Sequence, residues 1–396
     1  MTLHLNRKNI NNIFILGSRG YKKGYGGWET FVDKLIENWS EESNFFVFDI
    51  TSKKKDDKQI IEKNGVLCPQ VYVSRLGALT MFVFAIKSFF RAIKLIKKNK
   101  IENVNMLVLG SRAGHLYNLS KNRLAKLNIN LIFNPDGLEW KRSRWNWFIK
   151  IYLKLSEKNM IKASSHIICD SKEILRYIQD EYNVSSDKSY YIAYGSINYD
   201  DIQLSQNDIY EFNNLALTHD FSSNEYYLIV ARFVSENNID LIIKGFSKSN
   251  TRKKLLIITN IDKGKYYKYL SSETPIFKDD RIKMIGPIYN SNLLSMFRIN
   301  AYAYIHGHSV GGTNPSLLES LSLTKINIVY DVPFNKEVIK NFGFVFKDYI
   351  ELSEVINKAD LLSDQEITDL YIGSKENVNS NYNWKKIVEG YYSLLK

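Results

Sequence analysis

Residues 301–323 read AYAYIHGHSVGGTNPSLLESLSL. The apolar run predicts a strand, and the spacing of the leucines after the glycine-rich turn predicts a helix. In such a turn, backbone amides and the positive end of the helix dipole stabilise an anion. Gly311 and Gly312 permit close approach of a diphosphate, and Thr313 adds a hydroxyl donor. The stretch therefore predicts a phosphate-binding loop in an α/β domain.

The residues around this loop favour a nucleotide over a plain turn with a helix cap. His306, His308 and Asn314 flank the two glycines. Glu319 lies one turn into the predicted helix, and a carboxylate there can accept hydrogen bonds from ribose hydroxyls. We therefore expect the loop to bind a nucleoside diphosphate.

Residues 17–30 read GSRGYKKGYGGWET and follow the first predicted strand. The loop is not a GxGxxG fingerprint, but its basic and aromatic side chains suit a phosphate and a sugar ring. Gly26 and Gly27 are the candidates for donor contact, and an ordinary strand–helix turn is the alternative. Two such loops in two α/β halves indicate an enzyme that acts on a nucleotide-activated group in a cleft between domains.

The chain has 396 residues, which suits about two domains. Its composition, 44% hydrophobic and 24% charged, is typical of a folded soluble protein. The first residues are polar and no run approaches the ~20 apolar residues that span a bilayer, so we expect neither a signal peptide nor a membrane span. Cys68 and Cys169 provide no disulfide framework, and we expect a cytoplasmic protein.

The net charge of +12 is unevenly distributed. Residues 1–200 contain 32 basic and 19 acidic side chains, whereas residues 201–396 contain 22 and 23. A basic half beside a neutral half indicates that one domain meets an anionic surface or ligand.

Strand-like and helix-like segments alternate in both halves, and we interpret residues 197–224, rich in Asn, Asp and Ser, as the linker. This rhythm is typical of a parallel sheet with helices on both faces. We predict an α/β fold with two facing Rossmann-like domains, 1–200 and 201–380, and an interdomain cleft. Residues 381–396 are predicted to form a helix that packs back on the first domain.

Five polar side chains at or near predicted strand ends are candidates for chemistry, because such positions line α/β clefts. Arg232 ends the strand LIVARF, and we expect it to clamp a diphosphate rather than serve as a surface arginine. Asp136 and Asp170 suit acid/base chemistry or sugar hydroxyls, although turn and cap roles compete and are favoured for Asp170. His115 and Tyr194 occupy similar places.

The chain has no DxD pair and no cluster of His, Cys and Asp with metal-ligand spacing. We expect no metal and no other cofactor. Helix dipoles and Arg232 would then balance the charge of a leaving group.

Residues 76–98 are apolar early and basic late, and residues 140–147 read WKRSRWNW. Both segments are typical of a membrane interface that attracts anionic lipids. A core-packed helix with one solvated face is the alternative, with about equal weight.

The assembled strings resemble one family throughout residues 13–323. The strings that carry the resemblance are GSRGYKKGYGGWETFV, NPDGLEWKRSRW, ASSHIICDSKEI, YIAYGS, VARFVSENN and YIHGHSVGGTNPSLLES. They are similar to bacterial rhamnosyltransferases of cell-surface polysaccharide assembly, which are retaining GT-B glycosyltransferases. The resemblance implies a β-1,4-rhamnosyltransferase that transfers rhamnose from dTDP-L-rhamnose to a sugar on a diphospho-undecaprenol carrier, in capsule or cell-wall assembly.

The resemblance also implies roles for residues and domains. The second domain would bind the donor through Arg232, His308, Gly311, Gly312, Thr313, Asn314 and Glu319. Gly26 and Gly27 of the first domain would also contact the donor. The reacting centre would include Asp136, Asp170, Tyr194 and Arg232. The first domain would face the acceptor and the membrane, with acceptor contacts from His115, Glu139, Trp140, Lys141 and Arg142. The protein would then lie on the inner face of the cell membrane, with no nucleic acid as partner.

Two positions depart from the broader retaining family. That family often has two glutamates eight residues apart, and Gly311 stands where the first would be. It also often has a lysine shortly after the arginine, where this chain has Asn237 and Asn238. Arg232 is therefore expected to work alone.

Three alternatives stay open on the sequence. UDP-glucose or UDP-galactose could replace the rhamnose donor, since few positions read the sugar. A nucleotide-sugar epimerase has a similar two-domain build and needs no lipid acceptor. A non-catalytic membrane or nucleic-acid binder would use the basic half alone, although the paired glycine loops argue against it.

Overall fold

Two runs of alternating strands and helices fold into two α/β units. The computed structural model describes residues 10–23, 26–135, 137–142, 144–197, 199 and 202–395. Unit 1 comprises Met1–Ala193 and Trp384–Lys396, and unit 2 comprises Tyr194–Asn383. Asp136, Gly24 and Tyr25 lie outside the described residues.

The strands within the described residues, in chain order, are β1 (Asn11–Leu16), β2 (Ser43–Val47), β3 (Asp49–Thr51), β4 (Ile60–Lys63), β5 (Val66–Tyr72), β6 (Val104–Leu109), β7 (Ile129–Asn134), β8 (His166–Cys169), β9 (Ser189–Tyr191), β10 (Tyr226–Val230), β11 (Lys254–Ile258), β12 (Ile282–Ile285), β13 (Ala303–His306), β14 (Ile326–Tyr330) and β15 (Phe344–Phe346).

The α-helices within the same residues are α1 (Gly27–Glu37), α2 (Thr80–Asn99), α3 (Gly114–Leu119), α4 (Lys121–Lys126), α5 (Trp147–Ala163), α6 (Lys172–Tyr182), α7 (Gln206–His219), α8 (Ile239–Lys248), α9 (Lys265–Glu273), α10 (Ser291–Ile299), α11 (Pro315–Leu323), α12 (Pro333–Ile339), α13 (Tyr349–Ala359), α14 (Asp364–Asn381) and α15 (Trp384–Leu395).

The sheet of unit 1 has the order β3-β5-β2-β1-β6-β7-β8-β9, and β4 pairs antiparallel with β5. The strand order reverses between β1 and β6, where the loops beyond the carboxyl ends of the strands commonly bind ligands. Gly17, which follows β1, has a φ of 110°, and a Cβ there would lie 2.0 Å from the carbonyl oxygen of Leu109. Glycine therefore permits the ends of β1 and β6 to lie this close.

The sheet of unit 2 is parallel, with the order β12-β11-β10-β13-β14-β15. Its order reverses between β10 and β13. Alternate residues of β10 enter different cores, since Tyr227 and Ile229 join one buried cluster and Tyr226 and Leu228 join another. Burial on both faces explains why these strands are continuous apolar runs.

The predicted linker contains a helix. Within residues 197–224, α7 begins at a capping box in which Ser205 and Asp208 bond each other's backbone amides. Phe212 of this helix is buried against Phe297 and Phe221. The polar composition that indicated a linker therefore belongs to the solvated face of α7.

The interpretation of residues 76–98 as an interfacial helix is wrong for most of its apolar side chains. Phe89, Ile93 and Ile96 of α2 are buried in the core of unit 1. Among the large apolar residues of α2, only Ile86 and Phe90 are exposed, and Leu76 and Leu79, which precede the helix, are exposed as well. The apolar face of α2 that we predicted to contact lipid is therefore mostly packed in the core of unit 1. Within the described part of the chain, no helix combines the length and apolarity needed to cross a bilayer.

Helix α15 packs on unit 1, although it follows unit 2 in the chain. The ring of Tyr391 is fully buried 5.4 Å from that of Phe31, and its hydroxyl accepts a hydrogen bond of 3.1 Å from Asn134. Asn105 donates a 2.9 Å bond to the carbonyl of Leu395. This combination of apolar burial and satisfied polar groups anchors the helix.

Candidate functional site

The loop between β13 and α11 has the features of an anion site. Asn314 caps α11, accepting a 2.9 Å hydrogen bond from the amide of Ser316. Gly311 has a φ of 145° and no atom within 4 Å of where a Cβ would be, so the space beside it is open. The amides of Gly311 and Gly312 donate to no other residue that the structure describes. Two available amides at the start of a capped helix suit a phosphate.

A second loop, between β10 and α8, is bonded to the first. The amide and the hydroxyl of Ser309 both donate to the carbonyl of Glu236, each at 2.9 Å. The side chain of Asn238 donates a 2.9 Å bond to the carbonyl of Gly307. A Cβ on Gly307 would lie 2.2 Å from the carbonyl oxygen of Asn237, so the two backbones are in close contact. The two loops therefore form one surface at the point where the strand order reverses.

Arg232 lies on this second loop with an exposed side chain. Its backbone is fixed because its carbonyl accepts bonds from the amide of Val234 at 2.9 Å and the side chain of Asn237 at 2.7 Å. Thr313 and His308, on the other loop, are buried. The structure thus brings together the loops of Arg232 and of the two glycines.

Glu319 is held by an arginine that the sequence analysis missed. The Nη2 atom of Arg298 lies 2.7 Å from Oε2 of Glu319, and the Arg298 side chain is 2% exposed. The side chain of Glu319 is 22% exposed, so it is partly accessible from solvent. The only signal in the sequence is a single cation within the apolar helix α10. Its partner is 21 residues away and cannot be inferred from spacing.

A polar network extends from this ion pair to the strand ends. Arg298 donates a 3.1 Å bond to the hydroxyl of Ser316, which lies 2.9 Å from the hydroxyl of Tyr304. Tyr304 donates in turn to the carbonyl of Val230 at 3.2 Å, at the end of β10. Because a buried polar group is costly without a partner, this chain of bonds favours one arrangement of α10, α11 and the two strands.

His306 and His308 form a stacked pair, with ring centroids 4.1 Å apart and an angle of 10° between the rings. Burial, together with the nearby His308, lowers the pKa of His306 well below its ordinary value. Nδ1 of His306 lies 3.4 Å from the hydroxyl of Tyr304, and its Nε2 has no hydrogen-bond partner within the described chain. His306 is therefore a neutral imidazole near neutral pH.

In unit 1, Glu29 explains the glycine at position 26. Its carboxylate accepts a 2.7 Å hydrogen bond from the amide of Arg19, and a Cβ on Gly26 would lie 1.9 Å from its Oε2 atom. Glu29 is buried and ties the loop after β1 to the start of α1. Gly27 has open space around its α-carbon. This loop is thus braced by a buried carboxylate.

Glu139 lies among three arginines. Its carboxylate is 2.7 Å from Nε of Arg142 and 3.4 Å from Nη2 of Arg112, and it also pairs with Arg144. It accepts a further 3.1 Å bond from the indole of Trp145. Burial raises its pKa, but the three guanidinium groups outweigh burial and lower the pKa below its ordinary value. Glu139 is thus a charged, buried counter-ion.

The other predicted acceptor residues lie near this cluster in the chain. Lys141 is exposed, with Nζ 5.4 Å from the ring centre of Trp140, and Nζ of Lys154 lies 4.9 Å from the same ring. Nδ1 of His115 lies 3.1 Å from the amide nitrogen of Asn159. His115 is therefore engaged with α5.

The predicted catalytic residues Asp170 and Tyr194 belong to different units. Asp170 is buried at the end of β8. Burial is the main cause of the raised pKa values of Cys169 and Tyr391, and the nearby Asp170 charge raises both further. Tyr194 is buried too. No group of three or more His, Cys, Asp or Glu side chains suits a metal ion within the described chain.

Each unit of the chain is matched by a family model. Residues 218–376 match the family Glycosyl transferases group 1, and residues 10–197 match a domain of unknown function, DUF1972. A comparison with curated protein sequences gives no match.

Solved structures resemble nearly the whole chain. A sucrose-phosphate synthase from Thermosynechococcus elongatus has a TM-score of 0.75 and 15% identity, over 97% of this chain and 98% of its own. Anabaena HepE in complex with UDP has a TM-score of 0.71 and 11% identity, over 98% of this chain and 99% of its own. A trehalose-phosphate synthase from Burkholderia xenovorans has a TM-score of 0.73 and 11% identity, over 98% of this chain and 100% of its own. The fold is GT-B. Together with the group 1 match, it supports a glycosyltransferase.

The ion pair in unit 2 of this GT-B chain yields a first prediction. Glu319→Gln leaves the buried Arg298 charge without its counter-ion. The free energy of unfolding should fall by about 2 kcal/mol, less than for a fully buried pair because the Glu319 side chain is partly exposed. Urea unfolding monitored by circular dichroism measures the change. Glu354→Gln, at an exposed position of α13, is the matched control and should change stability by less than about 0.5 kcal/mol. Equal stability of the two variants would show that the pair is not important for folding.

The buried histidine yields a second prediction. The pKa of His306 is depressed in the folded state, whereas an unfolded histidine has a pKa of about 6.5. Stability present above that value is therefore lost as the pH falls below it. When the pH falls from 7.5 to 5.5, the melting temperature of His306→Asn should therefore decrease by less than that of the wild type.

The control for this experiment is His219→Gln. His219 is only partly buried, and burial with the nearby Lys283 lowers its pKa less strongly. This variant should therefore reduce the pH-dependent difference by a smaller amount. If His306→Asn retains the full wild-type difference, the acid sensitivity arises elsewhere.

Proposed function

We propose that the protein transfers rhamnose from dTDP-L-rhamnose to a sugar on a diphospho-undecaprenol carrier, with retention of configuration. The observation that carries the proposal is the joined pair of loops in unit 2, where available amides of the glycine loop adjoin the loop of Arg232. The match of this unit to Glycosyl transferases group 1 supports the reaction class. The strings DGLEWKR and HGHSVGGTNPS support rhamnose as the transferred sugar.

The donor would bind to the joined loops by its diphosphate. Gly311, Gly312 and Thr313 would donate to the phosphate oxygens, and the exposed guanidinium of Arg232 would pair with them. The partly exposed Glu319 would accept bonds from the ribose hydroxyls. The complexes of the similar HepE structure with UDP and UDP-glucose support a nucleotide-sugar donor for this fold.

The reaction would depend on stabilising the leaving group. As the bond from the sugar's anomeric carbon to the phosphate oxygen breaks, negative charge develops on the diphosphate beside the glycine loop and Arg232. Preorganised donors of this kind contribute about 2.7–4 kcal/mol each in comparable sites. The acceptor hydroxyl forms the new bond on the same face, and its proton passes to the departing phosphate oxygen. No protein base is needed in this scheme.

The acceptor would approach from a membrane, and α5 has a surface suited to this. Trp147 is 61% exposed and Phe148 is 64% exposed, with their rings stacked 3.7 Å apart. Ile151 and Leu155 continue the exposed apolar face along the helix. We name these four residues the α5 apolar face. Its setting in the basic half of the chain suits an anionic lipid surface.

A second candidate is transfer from UDP-glucose by the same site. The similar HepE structure in complex with UDP-glucose favours this donor. The geometry of the diphosphate site is the same in both cases, so the two candidates differ only in the base and the sugar.

The experiment on the donor site uses Arg232→Ala. With dTDP-L-rhamnose and a synthetic lipid-linked acceptor, turnover should fall about 100-fold, because leaving-group charge loses its cation. The melting temperature should stay at the wild-type value, since the side chain is exposed. Arg252→Ala, at another exposed arginine of unit 2, is the control and should keep full activity. Unchanged turnover in Arg232→Ala would remove this residue from the mechanism.

A donor panel completes that experiment. Release of nucleoside diphosphate from dTDP-L-rhamnose, but not from UDP-glucose or UDP-galactose, is the expected result. Efficient transfer from UDP-glucose alone would replace rhamnose by glucose in the proposal. Conversion of donor without acceptor would indicate an epimerase instead.

The membrane proposal predicts a loss of vesicle binding. Trp147→Ser with Phe148→Ser should weaken co-sedimentation with phosphatidylglycerol vesicles at least about tenfold, since two exposed aromatic rings no longer enter the interface. Leu217→Ser, at an exposed leucine of α7, is the control and should bind vesicles like the wild type. Equal binding by both variants would show that α5 does not contact the bilayer.

A further inference from the structure

Unit 2 contains a cleft that the proposed function does not use. It has a volume of about 540 Å³ and lies between the starts of α8 and α9. Its lining residues are Ser235, Asn238, Asp240, Lys265, Tyr266 and Tyr269. Clefts that hold a drug-sized molecule have volumes of about 300–1,000 Å³. Because a short oligosaccharide is of similar size, the cleft has room for more than one sugar ring.

Hydrogen bonds between α8 and α9 fix the shape of the cleft. The hydroxyl of Tyr266 donates to Oδ1 of Asp240 at 2.9 Å and accepts from the amide of Asp240 at 3.3 Å. Burial, followed by the nearby Asp240 charge, raises the pKa of Tyr266, so this hydroxyl keeps its proton. The ring of Tyr266 also packs on Phe233 of the buried core, with ring centroids 5.2 Å apart. The carboxylate and the ring are therefore held in place before a ligand binds, which lowers the entropic cost of binding.

Tyr269 gives the cleft an exposed aromatic surface. It lies three residues after Tyr266 on α9, so both side chains are on one side of the helix, and their rings are at an angle of 16°. Tyr269 is 43% exposed, and its hydroxyl lies 3.5 Å from Oδ2 of Asp240. An aromatic ring fixed at its polar end and open on its side offers a flat apolar surface to a ligand. The C–H face of a sugar ring is a surface of matching kind.

The polar groups of the cleft suit a neutral ligand with hydroxyls. Of the six lining residues, one is acidic and one is basic, so their formal charges balance. Asp240 has more acceptor lone pairs than the two tyrosine hydroxyls occupy, and the exposed Lys265 adds N–H donors. A sugar hydroxyl both donates and accepts, so it can use either group. Acceptors and donors around an aromatic surface therefore favour a saccharide over an anion.

The cleft adjoins the donor loops on the side away from Glu319. Asn238 lines the cleft and donates to the carbonyl of Gly307, so one wall belongs to the joined loops. Helices α8 and α9 pack in the buried cluster on one face of the sheet. Helix α10, whose Arg298 pairs with Glu319, packs in the cluster on the other face. A nucleoside bound at Glu319 would therefore leave this cleft open for another ligand.

We propose that the cleft binds a neutral oligosaccharide, which packs on Tyr269 and bonds through its hydroxyls to Asp240 and Lys265. The occupant is a segment of the glycan on which the enzyme acts. Held here, the glycan stays close to the donor loops, which raises its effective concentration. The inference goes beyond the proposed function, which assigns no ligand to this part of unit 2, and it does not depend on which sugar the donor carries.

The test measures binding of three neutral trisaccharides, of rhamnose, glucose and galactose, to the full chain by isothermal titration calorimetry. At least one should bind, and Tyr269→Ala should weaken that binding about tenfold, because the ligand loses its aromatic surface. Tyr269→Phe keeps the ring and should stay within about twofold of the wild type. Tyr210→Ala, at an exposed tyrosine of α7, is the matched control and should bind like the wild type. All three variants should keep the wild-type melting temperature, because both side chains are exposed.

Two further measurements separate the possible ligands. Trisaccharide affinity should be the same in low and high salt, since a neutral ligand has no charge to screen, and it should persist with saturating dTDP-L-rhamnose. Competition by dTDP-L-rhamnose but not by dTDP would show that the cleft holds the donor's own sugar. Binding of inorganic pyrophosphate that is weakened in Lys265→Gln would assign the cleft to an anion. Either of these two results would overturn the proposal.

The site itself is refuted if none of the trisaccharides binds, or if Tyr269→Ala binds them as tightly as Tyr210→Ala. The melting-temperature increase caused by dTDP reports on the donor loops and should be the same in all these variants. Its presence without trisaccharide binding would refute this inference alone. Its absence in the wild type would refute the donor site of the proposed function.

Discussion

The two hydrogen bonds from Ser309 to the carbonyl of Glu236 are the constraint on which the donor site depends. They join the loops that follow two adjacent strands, β10 and β13, and the side chain of Asn238 bonds to the carbonyl of Gly307 beside them. The loop after β10 carries the cation Arg232, and the loop after β13 carries the available amides of Gly311 and Gly312. Joined, they place the loop of Arg232 beside the glycine loop at a helix N-terminus, where developing negative charge is best stabilised.

The buried polar groups behind this surface explain why it keeps its shape. Arg298, almost fully buried, pairs with Glu319 and bonds Ser316, and the network continues through Tyr304 to the end of β10. Removing Glu319 leaves the buried Arg298 charge without its counter-ion, which costs more than the bond itself contributes. The arginine cluster of unit 1 follows the same principle with the charges reversed, because its buried charged group is a carboxylate. There one buried carboxylate, Glu139, pairs with three arginines.

The fold class was predictable because it depends on local patterns. Buried parallel strands are continuous apolar runs, glycine-rich turns follow them, and the prediction of two α/β domains of GT-B type is confirmed. The errors came where tertiary packing decides. Residues 197–224 were predicted to be a linker because α7 is polar on its solvated face. Residues 76–98 were predicted to contact lipid, whereas most apolar side chains of α2 are packed in the core. Arg298 and Arg112 were missed because their partners are distant in the chain and are brought to them by folding. Arg112, for example, meets Glu139 only because β6 and β7 are neighbours.

The central claim is that the joined loops of unit 2 bind a nucleoside diphosphate. A crystal structure of the full chain with dTDP tests it most directly. The account predicts phosphate oxygens within hydrogen-bond distance of the amides of Gly311 and Gly312, the guanidinium of Arg232 against the same group, and a ribose hydroxyl on Glu319. A diphosphate bound away from these loops, with the glycine amides bonded to protein instead, would contradict it.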